Sequence, residues 1–538
     1  MHRSLNLTSI PVWKNLKKHA ENFSRPDRHL KYLIKENSRL EKFSLKCNGF
    51  FYDFSRQRVD EKVMSLLFEL AKARKLKEQF ISMMNGEKIN TSENRAALHT
   101  ASRNFSGNSI FLDKKDVMPE IIKTRENIRE FASKVHNGKI TGSTGRHFNH
   151  VVVIGIGGSY LGTKFVSCAL EAFADKDIEI HFLSNVDIHN FGNIVSRIEA
   201  GSTLWIVVSK SYTTAETIAN TNLAISFMKE KGLDPSKHLI TVTSKGSPGD
   251  DPKNPVLSSF HMFDFIGGRY SVSSAVGGVP LSLYLGYDKF EQFLKGTEEM
   301  DIHSKDSPCE KNIPLIAALI SIWNNNFLGY QTQAIIPYAS PLQKLAPHIQ
   351  QLSMESNGKS VTQEGHSLDE PAGAIIFGEP GTNAQHSFFQ LAHQGRPFPI
   401  EFIGVIKPQY NYKSKRVTNH QELWANLISQ PTALALGKED KNKAKYFPGN
   451  RPSSTILINN LSPESIGRLL SFYEAKTVFE AFIWGTNPFD QFGVELGKAI
   501  ASGIRNEIEL KNEQKDHSFE KMDKITKFYL DALFSGKL

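Results

Sequence analysis

From residue 150 onward, short continuous apolar runs alternate with longer stretches whose apolar positions recur at helical spacing. VVVIG (151–155), IEIHFLS (178–184), LWIVVS (204–209) and LITVTS (239–244) read as strands buried on both faces of a parallel sheet. Between them, TTAETIANTNLAISFMKEK (213–231) predicts a helix. A second series follows, with TQAIIPY (332–338), GAIIFG (373–378), IEFIGVI (400–406) and STILIN (454–459) again separated by helical stretches. HSKDSPCEKN, in a loop around 301–312, has the composition of a linker between the two series. Ahead of both, residues 57–85 show helical spacing after Asp60, a candidate cap, so the chain opens mainly helical. The predicted fold class is α/β, with two tandem doubly wound parallel sheets and helical extensions at the N- and C-termini.

A length of 538 residues exceeds what one core supports, which agrees with two domains. The 40% apolar and 22% charged content is that of a soluble globular protein. Cys47, Cys168 and Cys309 are far apart in sequence and fit a reducing compartment. The longest apolar run, IPLIAALISIW (313–323), is too short to cross a bilayer, and the start MHRSLNLTSIPVW has no signal-peptide core, so the expected location is cytoplasmic with no membrane partner. A formal charge of +9 is spread along the chain, with short clusters KARKLK (72–77), KSKR (413–416) and KEDKNKAK (438–445). Without interleaved aromatics these argue against nucleic acid, and the surplus suits attraction of a small anionic substrate.

In open α/β sheets ligands collect beyond the C-terminal ends of strands, so chemistry is sought in those turns. VVVIGIGGSYLG (151–162) brings a glycine turn to the start of a helix, where backbone N–H groups suit an anion. A dinucleotide fingerprint would place a third glycine where Tyr160 stands and a ribose-binding acid at the next strand's end; Asp175 falls in a linker and Asp187 comes late. KSYTTAET follows LWIVVS and gathers Ser209, Lys210, Ser211, Thr213 and Thr214 between a strand and a helix, a phosphate cradle. The competing structural reading is a capping box formed by Thr213 and Glu216. In FDFIGGRYSVSSAVGG (263–278), two glycines place Arg269 ahead of a helix expected to be capped by Ser273, where its guanidinium can steady an oxyanion. An ordinary ion pair is the alternative.

QQLSMESNGKS (350–360) puts Glu355 on the flank of a helix buried through Leu345, Ile349 and Leu352, just before Asn357-Gly358 ends it. The negative end of the helix dipole would raise the pKa of that carboxylate and suit it to act as a general base. GEPGTNAQHSFFQLAHQG (378–395) places His386 in the first turn of a helix capped by Thr382 or Asn383, where the dipole would keep it neutral. His393 lies about 10 Å further along the axis, so the two cannot share a metal. In WGTNPFDQFGVELGKAI (484–500), Phe489, Phe492, Leu496 and Ile500 mark one helical face and Gln491, Glu495 and Lys498 the other. An exposed Glu495–Lys498 pair, worth about 0.2–0.5 kcal/mol, is the plain reading.

Taken together and in this order, GIGGS, SKSYTT, GGRYS, MESNGK, GTNAQHSFFQLAHQG and FDQFGVELGK closely resemble the glucose-6-phosphate isomerase family, as does INTSENRAALHTASR (89–103). The resemblance implies two sugar isomerase domains: a mainly helical segment 1–118, a smaller α/β domain over 119–285 and a larger one over 286–538 with C-terminal helices. It implies that phosphate lies on Ser209, Ser211 and Thr214, with the Lys210 backbone assisting and Gly158 and Ser159 nearby. Glu355 would move a proton between C2 and C1 through a cis-enediol, and Arg269 would stabilise its charge. His386 and Lys498 would assist ring opening, and Gln491 would bind substrate hydroxyls. The counterpart of His386 reaches the site from a neighbouring subunit, implying a homodimer; no cofactor and no metal are implied. Ser211 stands where threonine is frequent and keeps the hydroxyl, while Pro488 precedes FDQ where serine is usual. Two rival readings are a non-catalytic sugar-phosphate sensor, which has no use for Glu355, His386 and Lys498 together, and a nicotinamide-dependent dehydrogenase, disfavoured by Tyr160.

Overall fold

The buried runs become the strands of two separate sheets. The computed structural model describes residues 6–412 and 416–538; most of the KSKR cluster and the first five residues of the chain lie outside the described residues. The chain divides into two compact units, Met1–Phe489 and Asp490–Leu538.

Near the N-terminus, β1 (Ser44–Cys47) and β2 (Phe50–Asp53) form a hairpin closed by Asn48-Gly49, both with positive φ. This two-residue turn matches the twist of the flanking strands. A small ribbon, β3 (Phe111–Leu112) with β4 (Lys115–Asp116), follows. The first large sheet contains β5 (His150–Ile154), β6 (Glu179–Leu183), β7 (Thr203–Val208), β8 (Leu239–Ser244) and β9 (Ser258–Met262), all parallel, in the order β6-β5-β7-β8-β9. The strand order reverses between β5 and β7, which makes the space beyond their C-terminal ends the expected ligand crevice.

The second sheet contains β10 (Thr332–Tyr338), β11 (Ile375–Phe377), β12 (Ile400–Val405) and β13 (Ser453–Ile458), parallel to one another. Its order is β1-β2-β13-β12-β10-β11, so the N-terminal hairpin completes it, with β2 antiparallel to β13. The sheet is therefore parallel in its body and antiparallel at one edge.

The stretch around 301–312 is not an open linker. A helix runs unbroken over Tyr287–Asp306, packed on the helix Pro463–Trp484. Phe290, Phe293, Leu294 and Met300 are buried in it, and Asp301 is buried because Arg103 donates to both its oxygens at 2.6 and 2.8 Å. Arg103 also pairs with buried Glu474 of the second helix. The guanidinium matches Asp301 and one oxygen of Glu474, while burial pushes the Glu474 carboxyl up to about 7 and its Oε1 has no partner among the described residues. At the N-terminal end the cap is as read: the Asp60 carboxylate accepts from Val63 N at 2.8 Å and opens the helix Glu61–Ala73. The KARKLK cluster is surface chemistry, with Lys72 facing Glu310 and Lys77 donating to the Ser307 carbonyl. Among the described residues the three cysteines are unpaired, and no helix is long and apolar enough to cross a membrane.

The second unit has two helices, Glu495–Glu513 and Lys524–Ser535. They are joined by a turn in which His517 meets Glu507 at 2.7 Å and Phe519 packs on Phe534.

Candidate active site

The glycine turn beyond β5 and the hydroxyl turn beyond β7 stand side by side at the switch point. Pairing of Ile154 with Val207 sets the register, and a Cβ on Gly155 would lie 3.2 Å from the Val208 carbonyl. Gly157 has φ +60, and Gly158 and Ser159 are half-buried beside it. Gly158 has a stricter reason to be glycine. Its Cβ would fall 2.2 Å from the Gly268 carbonyl carbon and 2.7 Å from Arg269 N, so two glycine turns touch backbone to backbone.

In the hydroxyl turn, Ser209 is buried and its Oγ accepts from Tyr212 N at 3.1 Å, holding Tyr212 at φ 55. The Ser211 and Thr213 hydroxyls are 2.7 Å apart. The helix begins at Ala215 with Thr214 at the N-cap and no side-chain cap bond, so the competing Thr213–Glu216 capping box is not formed. Thr213 is turned towards Ser211 because the helix starts one residue later than the box requires. The Lys210 ammonium is drawn away from the turn, donating to the carbonyls of Asp264 at 2.8 Å and Ile266 at 3.4 Å, and burial holds its pKa below the usual lysine value. Only its backbone remains available to a ligand in the turn. Asp187 caps the helix Ile188–Val195 through His189 N, so that acid has a structural task.

Arg269 is buried and Glu355 is partly open, with 22% of its side chain exposed. Their closest approach is 3.1 Å, Nη1 donating to Oε1. Arg269 Nε donates to Ser356 Oγ at 2.7 Å and Nη2 to the Pro488 carbonyl at 2.5 Å, so the guanidinium plane is held on three sides. The helix after Arg269 is capped by Ser274, whose Oγ accepts from Val276 N; Ser273, the expected cap, instead bonds Ser102 at 2.9 Å.

Leu345, Ile349 and Leu352 are buried as predicted, but the helix Leu345–Ile349 widens into a π turn over Gln350–Glu355. Such turns shift side-chain direction within a helix and cluster at functional sites. Here Gln351 Nε2 donates to Glu355 Oε2 at 2.9 Å, and the same nitrogen is 3.2 Å from where a Cβ on Gly157 would sit. Gln351 thus links the glycine turn to the carboxylate. Lys359 closes the helix end, donating to the carbonyls of Glu355 and Ser356. Gln351, Ser356 and Lys359 were not singled out from the sequence, although the four-residue spacing of Gln351 from Glu355 was a readable signal.

His386 differs from its expected setting. The helix Gly381–Gln385 is one turn long, its N-cap is Pro380, and His386 is its exposed C-cap. The argument from a positive dipole end therefore fails. His393 bonds Gln430 at 2.9 Å, as a structural histidine does.

Gln491 and Lys498 belong to the second unit. The helix there starts only at Glu495, after a 3₁₀ turn over Phe492–Val494, with Gln491 outside it. Because the helix begins only at Glu495, of Phe489, Phe492, Leu496 and Ile500 only the last two share a helical face. Lys498 is exposed, and among the described residues no ion pair joins it to Glu495. The geometry thus gathers Gly158, Ser159, Ser209, Lys210, Ser211 and Thr214 around the β5–β7 switch point, with Arg269 and Glu355 paired next to it.

The arrangement has relatives. The family model described as phosphoglucose isomerase matches residues 53–524. The chain is 62% identical over 538 residues to a glucose-6-phosphate isomerase of Desulfosudis oleivorans, covering 99% of this chain and 98% of that one. It is 42% identical over 521 residues to the cytosolic glucose-6-phosphate isomerase of Arabidopsis thaliana, covering 92% of each. Among solved structures, a glucose-6-phosphate isomerase from Chlamydia trachomatis superposes with a TM-score of 0.90 at 36% identity, covering 99% of this chain and all of that one. A match spanning most of the chain, with such relatives over nearly its full length, means that this chain belongs to the phosphoglucose isomerase family.

Proposed function

We propose that this chain is an aldose–ketose isomerase that interconverts glucose 6-phosphate and fructose 6-phosphate, in glycolysis and gluconeogenesis, with Glu355 as the proton-shuttling base. The observation that carries the reading is the Arg269–Glu355 pair, a partly open carboxylate beside a buried and fully anchored guanidinium. A carbonyl acidifies the neighbouring C–H, so one base can take a proton from C2 and return it to C1. The hydrogen lost at C2 is regained at C1 and the proton lost from the C2 hydroxyl is regained at the C1 oxygen, so the reaction balances without a redox partner. Two hydrogen bonds, from Arg269 and Gln351, leave lone pairs of Glu355 free to accept that proton. As the cis-enediol forms, negative charge grows on the substrate oxygen, and a guanidinium already fixed in place stabilises it without reorganising.

The phosphate, with a charge of about −1.5 to −2, is assigned to Ser209, Ser211, Thr214, the Lys210 backbone and the Gly158–Ser159 turn. Its remote binding energy holds C1 and C2 against the base. His386 and Lys498 are assigned to ring opening, and Gln491 to the substrate hydroxyls. The exposed position of His386 supports a homodimer in which His386 serves the neighbouring subunit's site. The division into a helical segment 1–118, a smaller domain 119–285 and a larger one 286–538 is proposed with it, as is a cytoplasmic location.

A coupled assay converting fructose 6-phosphate to glucose 6-phosphate, with neither nucleotide nor metal added to the isomerisation step, tests the activity. Binding of the sugar phosphate without turnover would replace the enzyme by a sensor. Sedimentation showing a monomer with full activity would remove the shared site.

A further inference from the structure

At the opposite end of the first sheet from the phosphate turns, three side chains converge. His150 opens β5 and is the register partner of Glu179 in β6; His181 follows Glu179 by two residues. Side chains two apart on a strand, and those of register partners, share one face of a sheet. Glu179 Oε2 is 3.7 Å from His150 Nδ1 and 3.5 Å from His181 Nε2, and the ligand atoms of the three residues all lie within 4.8 Å of one another. These separations exceed hydrogen-bonding distance. Both imidazole nitrogens are buried and, among the described residues, have no hydrogen-bond partner. An orphaned buried polar atom is costly, and two aimed at one carboxylate ask for a common partner.

We propose that His150, Glu179 and His181 form a binding site for a divalent transition-metal ion of the zinc, cobalt or nickel class, bracing edge strand β6 against β5. Two imidazoles and one carboxylate suit these ions and not magnesium or calcium. Bonds of about 2.0–2.2 Å in a tetrahedral site place ligand atoms about 3.3 Å apart, so the carboxylate and the two imidazoles draw together to complete three positions. Glu179, 67% exposed, leaves the fourth position to water. Arg197 and Lys164 lie near enough to oppose a cation and weaken its binding. The role is structural, because the phosphate turns lie beyond the other ends of these strands.

Titration of the metal-free full-length chain with Co²⁺, followed by visible absorption and calorimetry, tests the site. One equivalent should bind with d–d bands of a four- or five-coordinate ion, and Zn²⁺ should displace it. Glu179→Gln, at an exposed position that leaves folding intact, should weaken binding at least tenfold, and His181→Ala at least as much. The isomerase rate of the metal-free variants should equal that of the parent. No saturable band, or the same affinity in Glu179→Gln as in the parent, would overturn the proposal, whatever the behaviour of His181→Ala.

Discussion

The hydroxyl turn at 209–214 and the corner formed by Arg269 and Glu355 are built on opposite principles. In the turn, every polar group comes from neighbouring residues, and the local bonds Ser209–Tyr212 and Ser211–Thr213 shape it. In the corner, the partners are 86 residues apart in sequence, and the arginine is anchored by Ser356 and by a carbonyl at Pro488. An anion needs only N–H and O–H groups converging at a helix start, which a short segment can supply. A base and its electrophilic partner need fixed geometry in a partly dry site, which demands several packed elements. On the proposed reading, the hydroxyl turn's share of phosphate binding is shaped locally, whereas the pair assigned to catalysis is assembled over long range.

The largest effect is expected where that contrast is sharpest. Glu355→Gln keeps the size and much of the hydrogen bonding but cannot take a proton, so kcat should fall by about 10²–10⁴ with KM little changed. Steady-state kinetics showing most of the rate retained would remove Glu355 as the base. Arg269→Lys replaces a fork held at three points by a single ammonium, and kcat should fall by about 10²–10³. Gly158→Ala strikes the joint between the two regions: the new methyl meets the Gly268 carbonyl and must displace a backbone. Both kcat and KM should worsen, with kcat/KM down about 10²-fold, the effect of a misplacement near 1 Å.

Ser209→Ala with Thr214→Ala should act chiefly on binding, raising KM for the phosphorylated sugar about tenfold, or about 1.4 kcal/mol, and the first change also removes the acceptor that holds Tyr212 in the turn. Since Thr214 makes no cap bond, its loss should not unfold the helix, and an unchanged KM would leave the phosphate elsewhere. The last effect falls on stability rather than on turnover and concerns His348, on the helix that leads to Glu355. It is buried against Phe165, neither ring nitrogen has a partner among the described residues, and burial holds its pKa at about 4 against an ordinary 6.5. The unfolded chain takes up this proton near 6.5 and the folded chain near 4. The contribution of the neutral ring is thus complete above pH 6.5 and declines as pH falls towards 4. His348→Leu should flatten the acid dependence of stability in that window by up to about 1.4 kcal/mol per pH unit, as read from unfolding midpoints.

Some features were legible in detail. TQAIIPY forms β10 over the same seven residues, and Asp60 caps its helix. Others had a signal that was passed over: Asn48-Gly49 between apolar runs is a strong hairpin cue, yet the N-terminal region was read as mainly helical. The hairpin's sheet partner, β13, lies some 400 residues on, and proximity in sequence says nothing about such pairing. β9, SSFHM, escaped because its serines and histidine give it no continuous apolar run. The end of the helix 287–306 reads as a loop because its polar residues resemble a linker until Arg103 is seen neutralising Asp301. His386 was misplaced because a single turn of helix is too short to announce its own ends.

What the linear order of residues determined by itself was the alternation of strand and helix, the glycine and hydroxyl turns, and the types of group available for chemistry. These follow from periodicity and from backbone freedom, which act over a few residues. The tertiary structure alone decided that Gly158 must lie against Gly268, that a π turn aims Glu355 at Arg269, and that the Lys210 ammonium faces away from its own turn. Those outcomes depend on which distant surfaces pack together, and close packing lets a backbone or a charge sit only where its neighbours leave room and a partner.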